Sequence, residues 1–218
     1  MPDINMPVAL PPLLQQLAES KLADQKFTPE GWSSDDLQPL RSFIRRHYRT
    51  EQRGKCAYCR RTLGKQAAAN CHVEHLLAKS RYRSFIFEPR NLCVVCAECN
   101  TVKCKKEASS APIDALEKAT AKRYPRSSGA FKIVHPHFDE YAEHIDILKN
   151  KFYVPKTPKG YFTVSACDLN AHLREFGWRP EFVDEVEARA VARQFLEAKT
   201  PEETKLAIRD LQDALLEF

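Results

Sequence analysis

Two pairs of cysteines with the spacing of metal ligands are the most informative feature of the sequence. Cys56 and Cys59 form one Cys-x-x-Cys pair, and Cys96 and Cys99 form a second. Each spacing folds a tight turn that directs two thiolates to one ion. Two such turns complete the tetrahedral arrangement that structural Zn²⁺ prefers. We therefore predict a structural zinc site at these four residues; a buried apolar cluster or a redox dithiol is the alternative.

A third Cys-x-x-Cys spacing, between Cys93 and Cys96, makes the choice of zinc ligands less direct. Cys93 lies between the apolar residues Leu92 and Val94, as expected of a core position in a strand. The pair that ends at Cys99 instead leads into a helical pattern. We therefore assign the zinc site to Cys96 and Cys99 and expect Cys93 to be a core residue.

The segment between the two cysteine pairs holds side chains that could hydrolyse a phosphodiester. His75 is the natural base for activating water, because imidazole titrates near neutral pH. Glu74 offers hard oxygen ligands suited to Mg²⁺, and Asn100 could supply another, since the zinc site would fix its position. Asn91 precedes a short apolar run, where its amide could orient the histidine. His72 is either a second site histidine or a half-buried strand residue.

The net charge of +5 is distributed unevenly along the chain. Residues 41–106 contain 16 Lys or Arg and four Asp or Glu, so this segment carries +12 and the remainder −7. A basic excess that coincides with a candidate site is typical of phosphate binding, whereas a solvated surface is the simpler alternative. Arg41, Arg45, Arg46 and Arg49 recur at helical spacing, and we expect phosphate contacts from Arg45, Arg49 and Lys103.

The hydrophobic periodicity predicts an α+β chain with helices dominating both ends. The predicted helices are 12–26, 34–53, 97–106, 113–124, 168–177, 180–198 and 201–218. The predicted strands are 72–77, 85–87 and 131–135, followed by a hairpin of 145–154 and 160–165 around the prolines at 155 and 158. Turns are predicted at 28–31 and 64–70.

Composition excludes several classes of protein. With 218 residues, 43% of them hydrophobic, the chain can bury a core, yet no apolar run approaches the length of a membrane span. The N-terminal residues lack the basic and apolar regions of a signal peptide. Paired cysteines without an export signal favour metal binding in a reducing compartment. We therefore expect a cytoplasmic protein with no membrane association.

Four groups of residues, taken together, match the pattern of a known family. They are Cys56-x-x-Cys59, Val73-Glu74-His75, Asn91-Leu92 and Cys96-x-x-Cys99-Asn100-x-x-Lys103. This set resembles the HNH (ββα-metal) endonucleases of the four-cysteine zinc subtype, and it covers about 50 residues. The chain departs from the common pattern at two positions: Glu74 stands where Asp is usual, and Asn100 stands where His is usual. Both departures keep oxygen ligation, which suits Mg²⁺ or Mn²⁺.

The resemblance implies roles for the matched residues. A zinc-stapled ββα core would act on DNA, with a catalytic Mg²⁺ or Mn²⁺ on Glu74 and Asn100. His75 would be the general base, and Asn91 would hold the loop that orients it. The alternative function is a non-catalytic zinc module that binds nucleic acid or protein. That alternative leaves the pairing of Glu74 and His75 with Asn100 unexplained.

The flanking segments suggest three regions and a protein partner. We predict an N-terminal arm and basic helix (1–53), a nuclease core (54–107) and a C-terminal region (108–218) that could dock a partner. The flanks are similar to HNH proteins paired with an ATPase in bacterial anti-phage defence, of the Septu and retron-associated type. The apolar N-terminal arm could enter a groove of that partner through Val8, Leu10, Leu13 and Leu14. The simpler alternative is that the C-terminal helices pack back on the core.

A second group of metal-capable side chains follows the zinc motif. His135, His137, Asp139 and His144 have the composition of a metal cluster, but the proline at 136 and the irregular spacing favour a structural turn.

Overall fold

Seven named helices, a short helical stretch at 193–197 and two small antiparallel sheets are the main regular elements of the described residues, with 3-10 turns and loops between them. The computed structural model describes residues 1–64, 70–118, 121–148, 152–176 and 193–216. In chain order the named elements are α1 (Pro12–Ala23), α2 (Gln38–Glu51), β1 (His72–His75), β2 (Leu92–Val95), α3 (Ala97–Glu107), α4 (Tyr141–His144), β3 (Ile145–Leu148), β4 (Phe152–Pro155), α5 (Pro158–Ala166), α6 (Ala171–Phe176) and α7 (Pro201–Leu216). This mixture agrees with the predicted α+β class.

The central unit consists of β1, β2 and α3. The two strands are antiparallel, with His72 opposite Val95 and His75 opposite Leu92. All four residues of β2 are buried, so this strand crosses the core, and α3 begins two residues after it ends.

Helix α2 supports this unit from one side. Its Leu40, Ile44 and Tyr48 are buried at a spacing of four residues, which places them on one face of the helix. Just beyond its end, the Gln52 side chain accepts from Val94 N at 2.7 Å and donates to Val94 O at 2.8 Å. A carboxamide therefore pairs with β2 as a neighbouring strand would, and it joins α2 to the sheet.

Two predicted elements near the site have a different structure. The segment 85–87, predicted as a strand, is instead the end of a 3-10 helix (Arg83–Phe85) and the turn after it. The predicted helix 113–124 contains no helix in its described residues. Its Leu116 forms an isolated bridge with Phe131, and the Asp114 carboxylate accepts from Leu116 N and Tyr82 Oη. Long-range pairing therefore outweighs the local helical pattern there.

The C-terminal hairpin also differs from the prediction. Strand β3 pairs with β4, with Ile145 opposite Pro155, and 160–165 lies in helix α5. Thr157 caps that helix by accepting from Gly160 N, which explains why the chain turns helical after the second proline. A Cβ at Gly160 would come within 2.0 Å of the His144 carbonyl oxygen, so this crossing requires glycine. The predicted strand 131–135 is reduced to the bridge at Phe131.

One hydrophobic cluster contains residues of all three predicted regions, from Ile4 to Leu169. A smaller cluster joins β4 to the C-terminal helices through Phe152, Leu173, Phe195 and Ala207. The division into 1–53, 54–107 and 108–218 stays a prediction. Most of the predicted helix 180–198 and of the predicted turn 64–70 lies outside the described residues.

The N-terminal arm packs against its own chain. Ile4 and Val8 are buried; Ile4 N donates to Pro136 O at 3.0 Å, and Val8 N donates to Tyr48 Oη at 3.0 Å. The expectation that Val8 inserts into a partner is therefore wrong, because that side chain is already in the core. Leu13, in contrast, is 80% exposed. No described helix is both long and apolar enough to cross a membrane.

Candidate functional site

The four predicted zinc ligands converge on one point. The sulfur atoms of Cys56, Cys59, Cys96 and Cys99 all lie within 4.8 Å of one another, and the Sγ atoms of Cys59 and Cys96 are 3.7 Å apart. Cys96 N donates to Cys56 Sγ at 3.4 Å, and contact with Cys56 lowers the pKa of Cys96 to about 7. Four sulfur donors in a tight, mostly buried group suit Zn²⁺, so this cluster can hold a zinc ion. Cys93 is fully buried in β2, as predicted.

Contacts from three parts of the chain shape the first cysteine turn. Ala57 N donates to Val94 O at 3.1 Å, which ties the turn to β2. Tyr141 Oη donates to Tyr58 O, and Tyr153 Oη donates to Cys59 O, each at 2.7 Å. The C-terminal region thus holds the backbone of the first cysteine pair in place. The spacing of the cysteines alone contained no sign of these tyrosines.

His75 sits at the end of β1 with its ring in a fixed orientation. Its Nε2 lies 3.1 Å from Ile86 O; because a carbonyl can only accept, Nε2 carries the proton and Nδ1 is the nitrogen with a free lone pair. Trp32 meets the ring edge-on, with centroids 4.6 Å apart. Burial lowers the pKa of His75 to about 3, so the ring is neutral at pH 7, and the same burial disfavours its protonation.

Asn91 bonds to both ends of the loop that contains Ile86, the hydrogen-bond partner of His75. It is fully buried, and its side chain accepts from Leu77 N at 2.8 Å and donates to Phe85 O at 2.9 Å and to Leu77 O at 3.3 Å. These bonds join the two ends of the loop next to Ile86. The geometry matches the loop-holding role predicted for this asparagine, while any effect on catalysis stays a prediction.

Lys103 lies in the interior, not on the surface. The side chain is 0% exposed, and its Nζ is 2.7 Å from Glu74 Oε1 and 2.5 Å from Glu107 Oε1. Burial opposes the charge, but the two carboxylates outweigh it and raise the pKa of Lys103. The predicted phosphate contact by Lys103 is therefore wrong for this structure, because α3 directs the ammonium inward to carboxylates that compensate its burial.

A cleft of about 780 Å³ is lined by three of the four predicted catalytic residues; Asn91 is not among its lining residues. Glu74, His75 and Asn100 all line it, although β1 and α3 are separate in sequence. Asn100 lies in the first turn of α3, and its N–H donates to the carbonyl of the zinc-site residue Cys96 at 3.1 Å. The cysteine cluster and the cleft are thus connected through the backbone of a single helix turn.

Basic side chains line the same cleft. Arg41, Arg45 and Lys79 contribute to its wall. Arg41 donates to Trp32 O and Ser34 O at 2.6 and 2.7 Å, so part of its guanidinium is already used. Arg45 Nε is buried without a hydrogen-bond partner among the described residues. The predicted phosphate contact Arg49 is not among the lining residues; its side chain donates to Leu63 O at 3.2 Å.

Trp32, Lys79 and Glu107 are among the cleft residues that sequence reasoning missed. Glu107 follows Asn100 by seven residues and Lys103 by four, so helical spacing could have placed it on the same face. His72, which sequence left open, also lines the cleft. No local sequence pattern marked Trp32 as a cleft residue, because it reaches the cleft from the segment before α2.

The second histidine group is held by hydrogen bonds within the protein. His135 Nε2 meets Tyr124 Oη at 2.9 Å, and His137 Nε2 meets Leu92 O at 2.9 Å. Asp139 Oδ2 accepts from His135 N at 2.7 Å and pairs with Lys159, and His144 Nδ1 contacts the Thr157 hydroxyl. Within the described ranges, the four cysteines are the one group with metal-ligand geometry.

Comparison of the chain with protein-family models, curated proteins and solved structures found no match. The resemblance to HNH endonucleases therefore stays a prediction from the sequence.

Proposed function

We propose that this protein is a metal-dependent endonuclease of the HNH type that hydrolyses phosphodiester bonds in DNA. The observation that carries the proposal is the orientation of His75. Its Nε2–H is bound to Ile86 O, which leaves Nδ1 as the proton acceptor of a residue that lines the cleft. A neutral imidazole with one fixed N–H is the form that a general base requires.

Glu74 and Asn100 would hold the catalytic ion. Lys103 and Tyr58 both approach Oε1 of Glu74, at 2.7 and 3.4 Å, so Oε2 is the oxygen left for a ligand. Asn100 can add its amide oxygen from the same cleft. Such oxygen donors suit Mg²⁺ or Mn²⁺. The bound ion would neutralise charge on the scissile phosphate.

The chain's own residues would carry the proton and position the substrate. A water oxygen would attack phosphorus while its proton passes to His75 Nδ1. The bond from phosphorus to the 3′-oxygen would break, and that oxygen would take a proton from solvent, which gives a 5′-phosphate and a 3′-hydroxyl. Arg45 and Lys79, which line the cleft, would contact phosphate oxygens there. The basic segment 41–106 would attract the DNA backbone.

A non-catalytic zinc module is the second candidate. The ion pair between Glu74 and Lys103 favours it, because it already neutralises the carboxylate assigned to the metal. The two functions differ in one measurement, which is cleavage of DNA that depends on His75.

The test is cleavage of supercoiled plasmid by purified protein with Mg²⁺ or Mn²⁺. We expect His75→Ala to slow cleavage by about 10²–10⁴-fold, as loss of a general base does, with the fold retained. His172→Ala, an exposed histidine outside the cleft-lining set, is the matched control and should cleave at the wild-type rate. Equal rates for wild type and His75→Ala would favour the zinc module.

We further propose that the protein acts as the nuclease subunit of a bacterial anti-phage defence complex with an ATPase. The similarity of the flanks supports this, as does α7, which begins with Glu202 and Glu203 and exposes Leu206. Its acidic character is opposite to that of the basic segment, as expected of a protein-docking helix.

Co-expression with the product of the neighbouring gene, followed by size-exclusion chromatography, tests this assembly. We expect the two chains to elute together and Leu206→Glu to reduce co-elution. Ser110→Glu, which adds the same charge at an exposed position outside the N-terminal arm and α7, is the control and should not change co-elution. A monomer that cleaves DNA at full rate without the second chain would contradict the proposal.

A further inference from the structure

A buried lysine joins the strand and the helix that border the cleft. Lys103 Nζ contacts Glu74 Oε1, Glu107 Oε1 and the backbone carbonyl of His75, at 2.7, 2.5 and 3.0 Å. The last two residues of β1 are thereby tied to the middle of α3 through one ammonium group. A charge enclosed in this way is stable only because it is paired and hydrogen-bonded.

The catalytic steps proposed above use neither Lys103 nor Glu107. Glu107 nevertheless lines the cleft with Asn100 and Cys104, as residues at i, i+4 and i+7 of one helix face do. The buried Nζ of Lys103 contacts both the Glu74 and the Glu107 carboxylate. Within this group of three side chains, two carboxylates and one ammonium leave one net negative charge.

We propose that Lys103 is a positioning residue that fixes the Glu74 carboxylate and the His75 carbonyl, and that its charge limits how tightly the cleft binds a divalent cation. The inference rests on the proposed nuclease function and adds a role for Lys103 and Glu107. Lys103 does not touch substrate; it acts through Glu74 and His75.

Removal of the Lys103 ammonium should strengthen the binding of a divalent cation but slow cleavage. Without it, Glu74 and Glu107 present two uncompensated charges, so attraction for a divalent cation increases. The Glu74 carboxylate and the end of β1 meanwhile lose the group that holds them, and small misplacements of catalytic groups are costly in rate. Tighter metal binding together with slower cleavage is a combination that general damage to the fold would not produce.

The experiment measures Mn²⁺ binding by calorimetry and plasmid cleavage on the full-length, zinc-loaded protein. For Lys103→Met we expect Mn²⁺ to bind about tenfold more tightly, while kcat at saturating Mn²⁺ falls about a hundredfold. Lys122→Met is the control: it removes an exposed lysine outside the basic segment and outside the cleft and should change neither quantity. A folded Lys103→Met protein with weaker or unchanged Mn²⁺ affinity would overturn the inference.

Glu107→Gln tests the same inference should Lys103→Met fail to fold. It removes one negative charge from the half-buried end of α3, and we expect Mn²⁺ affinity to fall about fivefold. In the double variant, Mn²⁺ affinity should return near the wild-type value while kcat stays low, because charge is restored and positioning is not. Unchanged affinity in Glu107→Gln overturns the inference.

The proposed function and this inference fail separately. Absence of cleavage by the wild-type protein, with the Mn²⁺ affinities shifted as expected, would refute the nuclease and keep the effect of Lys103 on cation binding. Cleavage by wild type with unshifted affinities would keep the nuclease and refute the inference.

Discussion

The two ring nitrogens of His75 have different partners, and this difference decides what the residue can do. Nε2 is bound to Ile86 O, so Nδ1 is the nitrogen able to accept a proton. The loop that presents Ile86 is itself held by Asn91. A single buried carboxamide therefore joins the two ends of this loop, and its effect on the orientation of His75 stays a prediction.

Replacing Asn91 should cost both stability and activity. Asn91→Ala leaves the buried Leu77 N and Phe85 O without their partners, and we expect a loss of about 3 kcal/mol in the free energy of unfolding. Urea unfolding measures this loss, and the exposed Asn5 provides the control Asn5→Ala. An unchanged unfolding midpoint for Asn91→Ala would show that the loop is held by other contacts.

At the scale of elements, the cysteine cluster organises the cleft. It connects the turn after α2 to the start of α3, and the first turn of α3 carries Asn100. Tyr141 and Tyr153 secure the same turn from the C-terminal region. Loss of the metal would therefore loosen the cleft as well as the cluster itself.

We expect one zinc ion per chain, with folding that depends on it. Cys59→Ser should give unfolded or insoluble protein, because metal binding by four thiolates contributes directly to folding. Cys104→Ser is the control, since Cys104 is exposed and lies outside the cluster. Elemental analysis and thermal unfolding check both statements; zinc-free protein that melts at the same temperature would contradict them.

At the scale of the whole molecule, the N-terminal arm, α2 and the histidine segment share one core. His137 bonds to Leu92 O in β2 and lies edge-on to Tyr48 in α2, while Pro136 O accepts from Ile4 N. The predicted N-terminal arm, core and C-terminal region are therefore in direct contact with one another.

The two buried histidines of this core, His135 and His137, predict that the folded protein loses stability in mild acid. Burial lowers the pKa of His137 to about 4 and that of His135 well below its usual value. The unfolded chain takes up protons near pH 6.5, so it binds more protons than the folded protein as pH falls from 6.5 to about 4. Stability should then fall by about 1.4 kcal/mol per pH unit for each histidine.

Urea unfolding between pH 7.5 and 4.5 measures this slope. His137→Gln should reduce it by about one proton, because one titrating ring is removed. His172→Gln, at an exposed position, should leave it unchanged. An identical slope in His137→Gln would mean that acid acts through other groups, with the zinc thiolates as the first to examine.

Sequence by itself determined the features that depend on local spacing. The two Cys-x-x-Cys turns, the amphipathic helix α2, the strand at His72–His75 and the helix at Ala97–Glu107 follow from patterns within a few residues. Convergence of the cysteines was predictable because metal geometry restricts where four thiolates can go. Burial of Cys93 followed from its apolar neighbours.

Tertiary structure alone decided which groups face each other. Lys103 was expected at a phosphate and instead lies between Glu74 and Glu107, because a distant strand supplies the carboxylate that makes its burial possible. Leu116 was expected in a helix and instead pairs with Phe131. Residues 160–165 were expected in a strand, but the capping Thr157 and the close approach to His144 select a helix. In each case a partner far along the chain, or a contact that forms only on packing, outweighs a local preference.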